Sequence, residues 1–226
     1  MDFHYAENEI FEQWRSRYNK TIVPDGVVDE RTYRASNFKL LLLLKEVNDP
    51  DGESWDLRSF LHDGGRSKTW APVARWLKGI YALPRKLSFE ETDGISTDAR
   101  GAILRSIICM NLKKYGGGAS TKNNELKAVA EANRDLLNKQ FELYSDVDYV
   151  ICCGPDVKKL AKKLIVPIRN AESWLRMPET TVEYLEFAPQ KYAIGFWHPQ
   201  QRKYKHDVVY NWLIDTIAVL ENRKRK

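Results

Sequence analysis

The chain of 226 residues has only three cysteines and lacks long apolar runs. Two of the cysteines, Cys152 and Cys153, are adjacent, so the three provide neither a disulfide framework nor a four-ligand metal site. No apolar segment approaches the roughly 20 residues that a membrane-spanning helix needs. The first residues show neither the basic nor the apolar part of a secretion signal. We therefore expect a cytoplasmic protein without a membrane partner.

The common nucleotide-binding signatures are also missing. No apolar run is followed by a GxGxxG pattern, and the one run of glycines, residues 116–118, lacks the GKS or GKT of a triphosphate-binding loop. The net charge of +5 and the isoelectric point near 9.0 mildly favour a polyanionic partner. A hydrophobic content of 43% and seven tryptophans indicate one folded domain over residues 1–226.

What the chain does contain is four short apolar runs without alternation, at residues 40–44, 107–110, 149–153 and 193–197. Such runs are typical of strands that are buried on both faces of a parallel sheet. Segments with helical spacing of apolar residues surround them, at residues 9–18, 70–81, 120–144, from 155 onward and 209–220. This alternation predicts an α/β/α sandwich with a central four-stranded parallel sheet. Numbered along the chain, the strands are expected in the spatial order 2-1-3-4.

Polar residues follow each run, at the end where open parallel sheets bind their ligands. Glu46 and Asp49 follow the first run, Asn111 the second, Gly154 the third and His198 the fourth. Each of these has an ordinary structural explanation when taken singly, such as a turn, a cap or a strand end. Their shared position at strand ends predicts a functional site.

The residue types at these ends fit one kind of chemistry. The Asn111 amide offers both a donor and an acceptor, which can read the edge of a pyrimidine base. His198 can donate to a leaving group that becomes anionic. A carboxylate at Glu46 or Asp49 can orient water or stabilise a positively charged sugar.

Aromatic and basic residues near these ends extend the candidate site. Three aromatic residues, Trp55, Phe60 and Trp70, lie in or beside a long polar segment, residues 49–68, which predicts an irregular loop. One of these rings is a candidate for stacking on a base, although Trp70 also fits the core of a helix. The remaining candidates are residues that could hold phosphate groups: Lys113, Lys114, Gly117, Arg202 and Lys203.

In their order along the chain, these endings resemble the uracil-DNA glycosylase superfamily. The residues that carry the resemblance are Val47-Asn48-Asp49-Pro50, Asn111, Gly154 and His198-Pro199. The stretch Asn111-Leu112-Lys113-Lys114 is similar to the Asn-x-x-Lys of the iron–sulfur-containing branch, and Lys45-Glu46-Val47-Asn48 aligns with its Gly-Glu-Ala-Pro.

The resemblance implies hydrolysis of the N-glycosidic bond of uracil or another damaged base that is flipped out of DNA, as in base excision repair. It implies no cofactor. Asn111 would bind the base edge, His198 would donate to the base, and Glu46 or Asp49 would position water or stabilise the sugar cation. The loop Gln200-Gln201-Arg202 would approach the minor groove of DNA. The cysteines lie in predicted strands, so we expect no iron–sulfur cluster, and we expect a monomer.

Three points stay open at the level of sequence. Glu46 is the first choice for the acid because it lies closer to the strand end than Asp49. The altered acidic loop also fits a non-catalytic member of the fold that binds nucleic acid or a modified base, and the modest charge fits an enzyme acting on a free nucleoside or nucleotide. Neither the target base nor a preference for single or double strands follows from the sequence.

Overall fold

One mixed sheet runs through the part of the chain that the structure describes. The structure is a computed structural model, which describes residues 2–49, 51–117, 122–178 and 180–225. The helices are α1 (Phe3–Arg17), α2 (Glu30–Ala35), α3 (Leu57–His62), α4 (Ser67–Ala82), α5 (Thr97–Leu104), α6 (Asn123–Ala132), α7 (Arg134–Glu142), α8 (Pro155–Leu164), α9 (Val166–Asn170) and α10 (His206–Lys224). The strands are β1 (Gly26–Val27), β2 (Leu40–Leu44), β3 (Ile107–Asn111), β4 (Tyr149–Cys153), β5 (Leu175–Arg176), β6 (Glu183–Ala188) and β7 (Lys191–Phe196).

The sheet order is β1-β3-β2-β4-β7-β6-β5. The prediction of an α/β/α sandwich with a central parallel sheet is confirmed, but the sheet has seven described strands rather than four, and it is mixed. β3, β2, β4 and β7 are mutually parallel neighbours and correspond to the four predicted runs, which stand in the order 2-1-3-4 within the larger sheet. β1, β6 and β5 add antiparallel pairs at the two edges. The sequence did not indicate β1, β5 and β6. β1 and β5 have only two residues each and carry no periodicity, and Glu183 and Glu186 keep β6 from being an unbroken apolar run.

Both faces of the central strands are buried, which explains why their sequences do not alternate. Leu41 and Leu43 of β2 pack in a core with residues of α1, α6, α7 and α8. Leu40, Leu42 and Leu44 pack in a second core with residues of α3, α4 and α10. Two helical layers thus enclose the sheet, as the alternation of strands and helices predicted.

The helices differ from the sequence prediction in two places. The expected long helix over residues 120–144 is two helices, because Asn133 leaves helical geometry between α6 and α7, and its side chain Nδ2 donates to the Val129 carbonyl at 2.7 Å. Its expected caps, Ser120 and Thr121, lie outside the described residues. The polar segment 49–68 is not irregular throughout, since it contains α3, which the Asp56 carboxylate caps by accepting from the Arg58 N–H at 2.8 Å.

Glu7 is a buried carboxylate beneath the first helix layer. Its oxygens accept from the Val27 N–H at 2.8 Å, from the Tyr144 hydroxyl at 2.7 Å and from Arg58 Nη1 at 2.8 Å. Burial nevertheless raises the pKa of Glu7 from 4.5 to about 7, against the opposing effect of these three donors. Folded Glu7 therefore keeps its proton to a higher pH than unfolded Glu7.

Replacing Glu7 with glutamine is expected to remove part of the pH dependence of stability. The contribution of Glu7 is fully present below pH 4.5 and is lost as the pH rises through about 7, because the folded state binds the proton more tightly. Between pH 5 and 8, the free energy of unfolding of the wild type should fall by up to about 3 kcal/mol more than that of Glu7→Gln. Urea unfolding at each pH measures this, with the exposed Glu9→Gln on α1 as the control. Parallel curves for wild type and Glu7→Gln would contradict it.

Candidate functional site

The carboxyl ends of the four parallel strands form one edge of the sheet, and the predicted residues lie along it. The strand register sets Asn111 level with Leu44, and Phe196 level with Cys153. Asn111 and His198 follow strands that are three positions apart, which is about 14 Å at the usual strand spacing. The sheet therefore brings the amide and the imidazole to the same edge, with β2 and β4 between them.

Gly154 marks open space in the middle of this edge. Its φ of +121° is a conformation that side chains rarely adopt, and a Cβ built there would meet no described heavy atom within 4 Å beyond its chain neighbours. Its N–H donates to the Phe196 carbonyl at 2.8 Å, which ties the end of β4 to β7. There is therefore room for a small group beside Gly154, at the end of β4.

His198 presents a neutral imidazole to this region. The Gln200 backbone N–H donates to its Nδ1 at 3.1 Å, so Nδ1 carries the lone pair and the proton sits on Nε2. Burial and the positive charge of Lys45 hold the pKa of His198 below 6.5. At neutral pH the ring is therefore an N–H donor rather than a cation. Lys45 is itself fixed by Asp156 Oδ2 at 2.9 Å.

The loop that carries His198 is tied down by its own side chains. Gln201 donates from Nε2 to the Tyr204 carbonyl and accepts at Oε1 from the Tyr204 N–H, both at 2.9 Å. Trp197 stacks on Trp212 of α10 with ring centroids 5.0 Å apart. These contacts fix the backbone on both sides of the imidazole.

A basic rim adjoins this loop, and half of it was missed from the sequence. The Gln200 side chain donates to Thr69 Oγ1 and so joins the loop to the start of α4. The rim consists of four exposed cations, none of which forms an ion pair with a described residue: Arg66, Lys68, Arg202 and Lys203. Arg66 and Lys68 stand far from Arg202 in sequence, and no local pattern indicated that the two segments meet.

Asn111, the last residue of β3, is held by a buried ion pair as well as by the neighbouring strand β2. Its backbone N–H donates to Asp25 Oδ2 at 2.7 Å, and Lys114 Nζ lies 2.7 and 2.9 Å from the two oxygens of Asp25. Gln140 Nε2 donates to the same carboxylate at 2.8 Å. Asn111 is buried, at 2% exposed, and no hydrogen bond joins its side-chain amide to a described residue.

Lys113 and Lys114 do not lie where the sequence analysis expected phosphate contacts. Lys114 is fully buried, so its ammonium group is closed to DNA. Lys113 pairs with Glu46 and lies 3.0 Å from Glu125 Oε1, with the Lys113 and Glu46 side chains at most 5% exposed. Burial alone would lower the pKa of Lys113, but the two carboxylates raise it above its usual value. From the sequence, these two lysines were predicted to contact phosphate at the surface. In the structure each forms an ion pair with a buried carboxylate, Lys113 with Glu46 and Lys114 with Asp25.

Gly117 packs against the acidic loop rather than forming a free phosphate cradle. The Asp49 N–H donates to the Gly117 carbonyl at 3.1 Å, and the Gly117 N–H donates to the Val47 carbonyl at 3.2 Å. A Cβ on Gly117 would lie 2.8 Å from the Glu46 carboxylate, and one on Gly116 would lie 2.2 Å from the Asp49 carbonyl oxygen. These glycines allow two backbone segments to approach, and Gly118 lies outside the described residues.

Asp49 has one carboxylate oxygen without a partner. Oδ1 accepts from the Glu53 N–H at 3.2 Å, while Oδ2 is buried and has no hydrogen bond within the described structure. Buried polar atoms are nearly always paired with protein or with water. Asp49 Oδ2 therefore marks a position that a water molecule or a ligand donor would fill.

The aromatic candidates divide between core and surface. Trp70 is 5% exposed, and its ring lies against Gly65, so it is a core residue that cannot stack on a base. Phe60 is half-buried and packs edge-on against Trp55 with ring centroids 5.4 Å apart. Its role in stacking stays a prediction.

The three cysteine thiols lie buried in strands, and burial raises the pKa of all three. For Cys152 the pKa is raised to about 12. The described ranges hold no group of three or more His, Cys, Asp or Glu side chains arranged to bind a metal ion. Among the helices described here, none combines the length and apolar character needed to cross a membrane.

The resemblance seen in the sequence has no support from direct comparison. No family model and no curated protein matches the chain. The functional assignment therefore depends on the residues at the strand ends and on their geometry.

Proposed function

We propose that the protein is a DNA glycosylase, similar to the uracil-DNA glycosylase superfamily, that hydrolyses the bond between the sugar and uracil or another damaged base. One observation carries the proposal. An unpartnered amide at Asn111 and a neutral imidazole at His198 follow strands on either side of the open space at Gly154. This arrangement fits a base that is flipped out of a strand and bound across the sheet edge.

The residues divide the charges of the reaction between them. When the N-glycosidic bond breaks, its electron pair leaves with the base and positive charge develops on the sugar. The His198 Nε2–H would donate to the base oxygen where negative charge develops, and the Asn111 amide would pair with the base edge. Water then adds to the sugar and loses its proton.

The structural contacts favour Asp49 over Glu46 as the acidic residue of the site, contrary to the first choice from sequence. The Glu46 charge is already balanced by the buried ammonium group of Lys113. Asp49 instead keeps an oxygen that no described group satisfies. A carboxylate with a free oxygen is the better candidate to hold water or to face a sugar cation.

Single-turnover kinetics on uracil-containing DNA separates the two carboxylates. We expect Asp49→Asn to slow excision by about 10²–10³-fold, because it removes charge facing the sugar. Glu46→Gln should lower stability while changing the rate by less than about tenfold, since Glu46 is paired with Lys113. Thermal melts check the folding of both variants. Loss of activity in Glu46→Gln alone would move the assignment to Glu46.

The test of the function itself is an incision assay on DNA that contains uracil, hypoxanthine or alkylated bases in single and double strands. Cleavage at one of these bases, absent from DNA without it, is the expected result. If the wild-type protein binds such DNA but cleaves none of it, the proposal that it is a glycosylase is wrong.

A second function, binding without cleavage, is favoured by one observation. Glu46 is neutralised by Lys113, and the free oxygen of Asp49 is buried rather than open to solvent. The incision assay, combined with a binding measurement on the same DNA, distinguishes a reader of modified bases from a glycosylase.

DNA binding is expected to weaken with salt, because the basic rim would neutralise phosphates and release counterions. The log–log slope should be about −0.9 for each phosphate contacted in duplex DNA. Alanine at Arg66, Lys68, Arg202 or Lys203 should each lower the magnitude of the slope by about 1. Anisotropy of labelled DNA measures this, with the exposed Lys159→Ala on α8 as the matched control. Binding that ignores salt would favour an enzyme for a free nucleoside or nucleotide.

A further inference from the structure

A surface depression of about 560 Å³ lies past the carboxyl end of β3, at the same edge of the sheet as the candidate site. Its lining residues are Arg15, Lys20, Thr21, Ile22, Pro24, Ser54, Trp55 and Asp56. Neither Asn111 nor His198 is among them. The volume falls within the range of small-molecule sites.

Backbone pairing fixes the position of this depression relative to the acidic loop. Ile22 bridges Tyr115 in antiparallel fashion, and the Val23 N–H donates to the Lys114 carbonyl at 2.7 Å. On the other side of the same segment, Asn48 bridges Gly117. The wall at Ile22 is therefore two strand spacings, about 10 Å, from the acidic loop.

The lining groups combine cations with an aromatic ring. Lys20 is exposed, forms no ion pair with a described residue, and holds its Nζ 4.3 Å from the Tyr115 ring centroid. Arg15 keeps 41% of its side chain exposed beside its partner Glu12. Trp55 is half-buried and is one of the lining residues.

The lining contains one carboxylate, that of Asp56, and a neighbouring cation partly offsets its negative charge. Asp56 is engaged by Arg58, with Nη2 2.6 Å from Oδ2 and Nε 3.0 Å from Oδ1. Arg58 also donates to the buried Glu7, so it offsets the Asp56 charge only in part, and the lining carries two cations, Arg15 and Lys20, against this one carboxylate. The net character of the depression is basic and aromatic, which is the combination that holds a nucleotide through its phosphate and its base.

We infer that this depression binds a nucleotide next to the one whose base is bound at Asn111 and His198, with a phosphate at Lys20 and Arg15 and a base against Trp55. The inference rests on the proposed function and narrows it. The substrate is then a strand of at least two nucleotides that is unpaired at this point, because a base inside a duplex cannot stack on a side chain.

The test is anisotropy of a labelled eight-nucleotide single strand that contains no uracil, so that binding is measured without chemistry. Trp55→Ala and Lys20→Glu should each weaken binding about tenfold, in line with the loss of one stacked base or one phosphate contact. Trp174→Ala and Lys159→Glu, at a half-buried tryptophan and an exposed lysine elsewhere, serve as matched controls and should bind like wild type. Because Trp55 packs against Phe60, the exposed Lys20 keeps the test valid if Trp55→Ala does not fold.

The outcomes separate this subsite from the proposed function. Wild-type affinity in both Trp55→Ala and Lys20→Glu would overturn the subsite, and retained excision of uracil in those variants would leave the glycosylase standing. Weakened binding in both, with no excision by wild type, would support the subsite and overturn the glycosylase. Failure of the wild type to bind the strand at low salt would overturn the subsite.

Discussion

Replacing His198 with alanine is expected to slow single-turnover base excision by about 10²–10³-fold, the usual effect of removing one donor that faces a developing negative charge. The structure gives the donor a fixed direction, because the Gln200 N–H occupies Nδ1 and leaves the proton on Nε2. The desolvated ring is also held neutral by burial and by Lys45. A neutral donor stabilises an anionic base without first releasing a proton to solvent.

The matched control for this variant is His206→Ala, which removes an exposed imidazole at the start of α10. It should leave the rate unchanged. Thermal melting should show that both variants fold. A His198→Ala protein that melts like wild type and retains its full rate would remove His198 from the site.

Replacing Lys114 with methionine is expected to lower the free energy of unfolding by about 3–5 kcal/mol, which is large against the 5–15 kcal/mol of a typical domain. Methionine fills much of the same space, but it leaves the Asp25 carboxylate buried without its cation. Gln140 and the Asn111 N–H still donate to Asp25 but do not balance its charge.

Urea unfolding of Lys114→Met measures this loss. Lys163→Met is the control, because Lys163 pairs with Glu131 at the surface, with side chains 50% and 32% exposed. Its removal should cost no more than about 1 kcal/mol. The double variant Asp25→Asn with Lys114→Met should recover part of the loss. A loss below about 1 kcal/mol in Lys114→Met would show that the pair contributes no more than a surface contact.

The central sheet could be predicted from the sequence because burial on both faces leaves an unbroken apolar run, as at Leu40–Leu44. Asn111 and His198 follow from it, since the end of such a strand is recognisable in the sequence. The two-residue strands β1 and β5 could not be predicted, because a pair such as Gly26–Val27 depends on its neighbour, β3, rather than on its own composition. β6 was missed because glutamates interrupt its apolar residues.

The roles of the charged residues near the site could not be predicted for a different reason. Lys114 and its partner Asp25 are 89 positions apart, and nothing local to either residue indicates burial. Glu46 likewise looked free until the fold placed Lys113 against it. Charge in a sequence shows which groups can interact, whereas only the fold shows which of them are already paired.

The clamp of Gln201 on both backbone groups of Tyr204 has a consequence for the thermodynamics of recognition. A loop that must order itself on binding loses conformational entropy at that moment, and affinity falls accordingly. Here the hydrogen bonds of Gln201 and the stacking of Trp197 order the loop when the chain folds. The entropy cost of ordering the loop is therefore part of the free energy of folding. A ligand that binds at His198 would not have to order this loop.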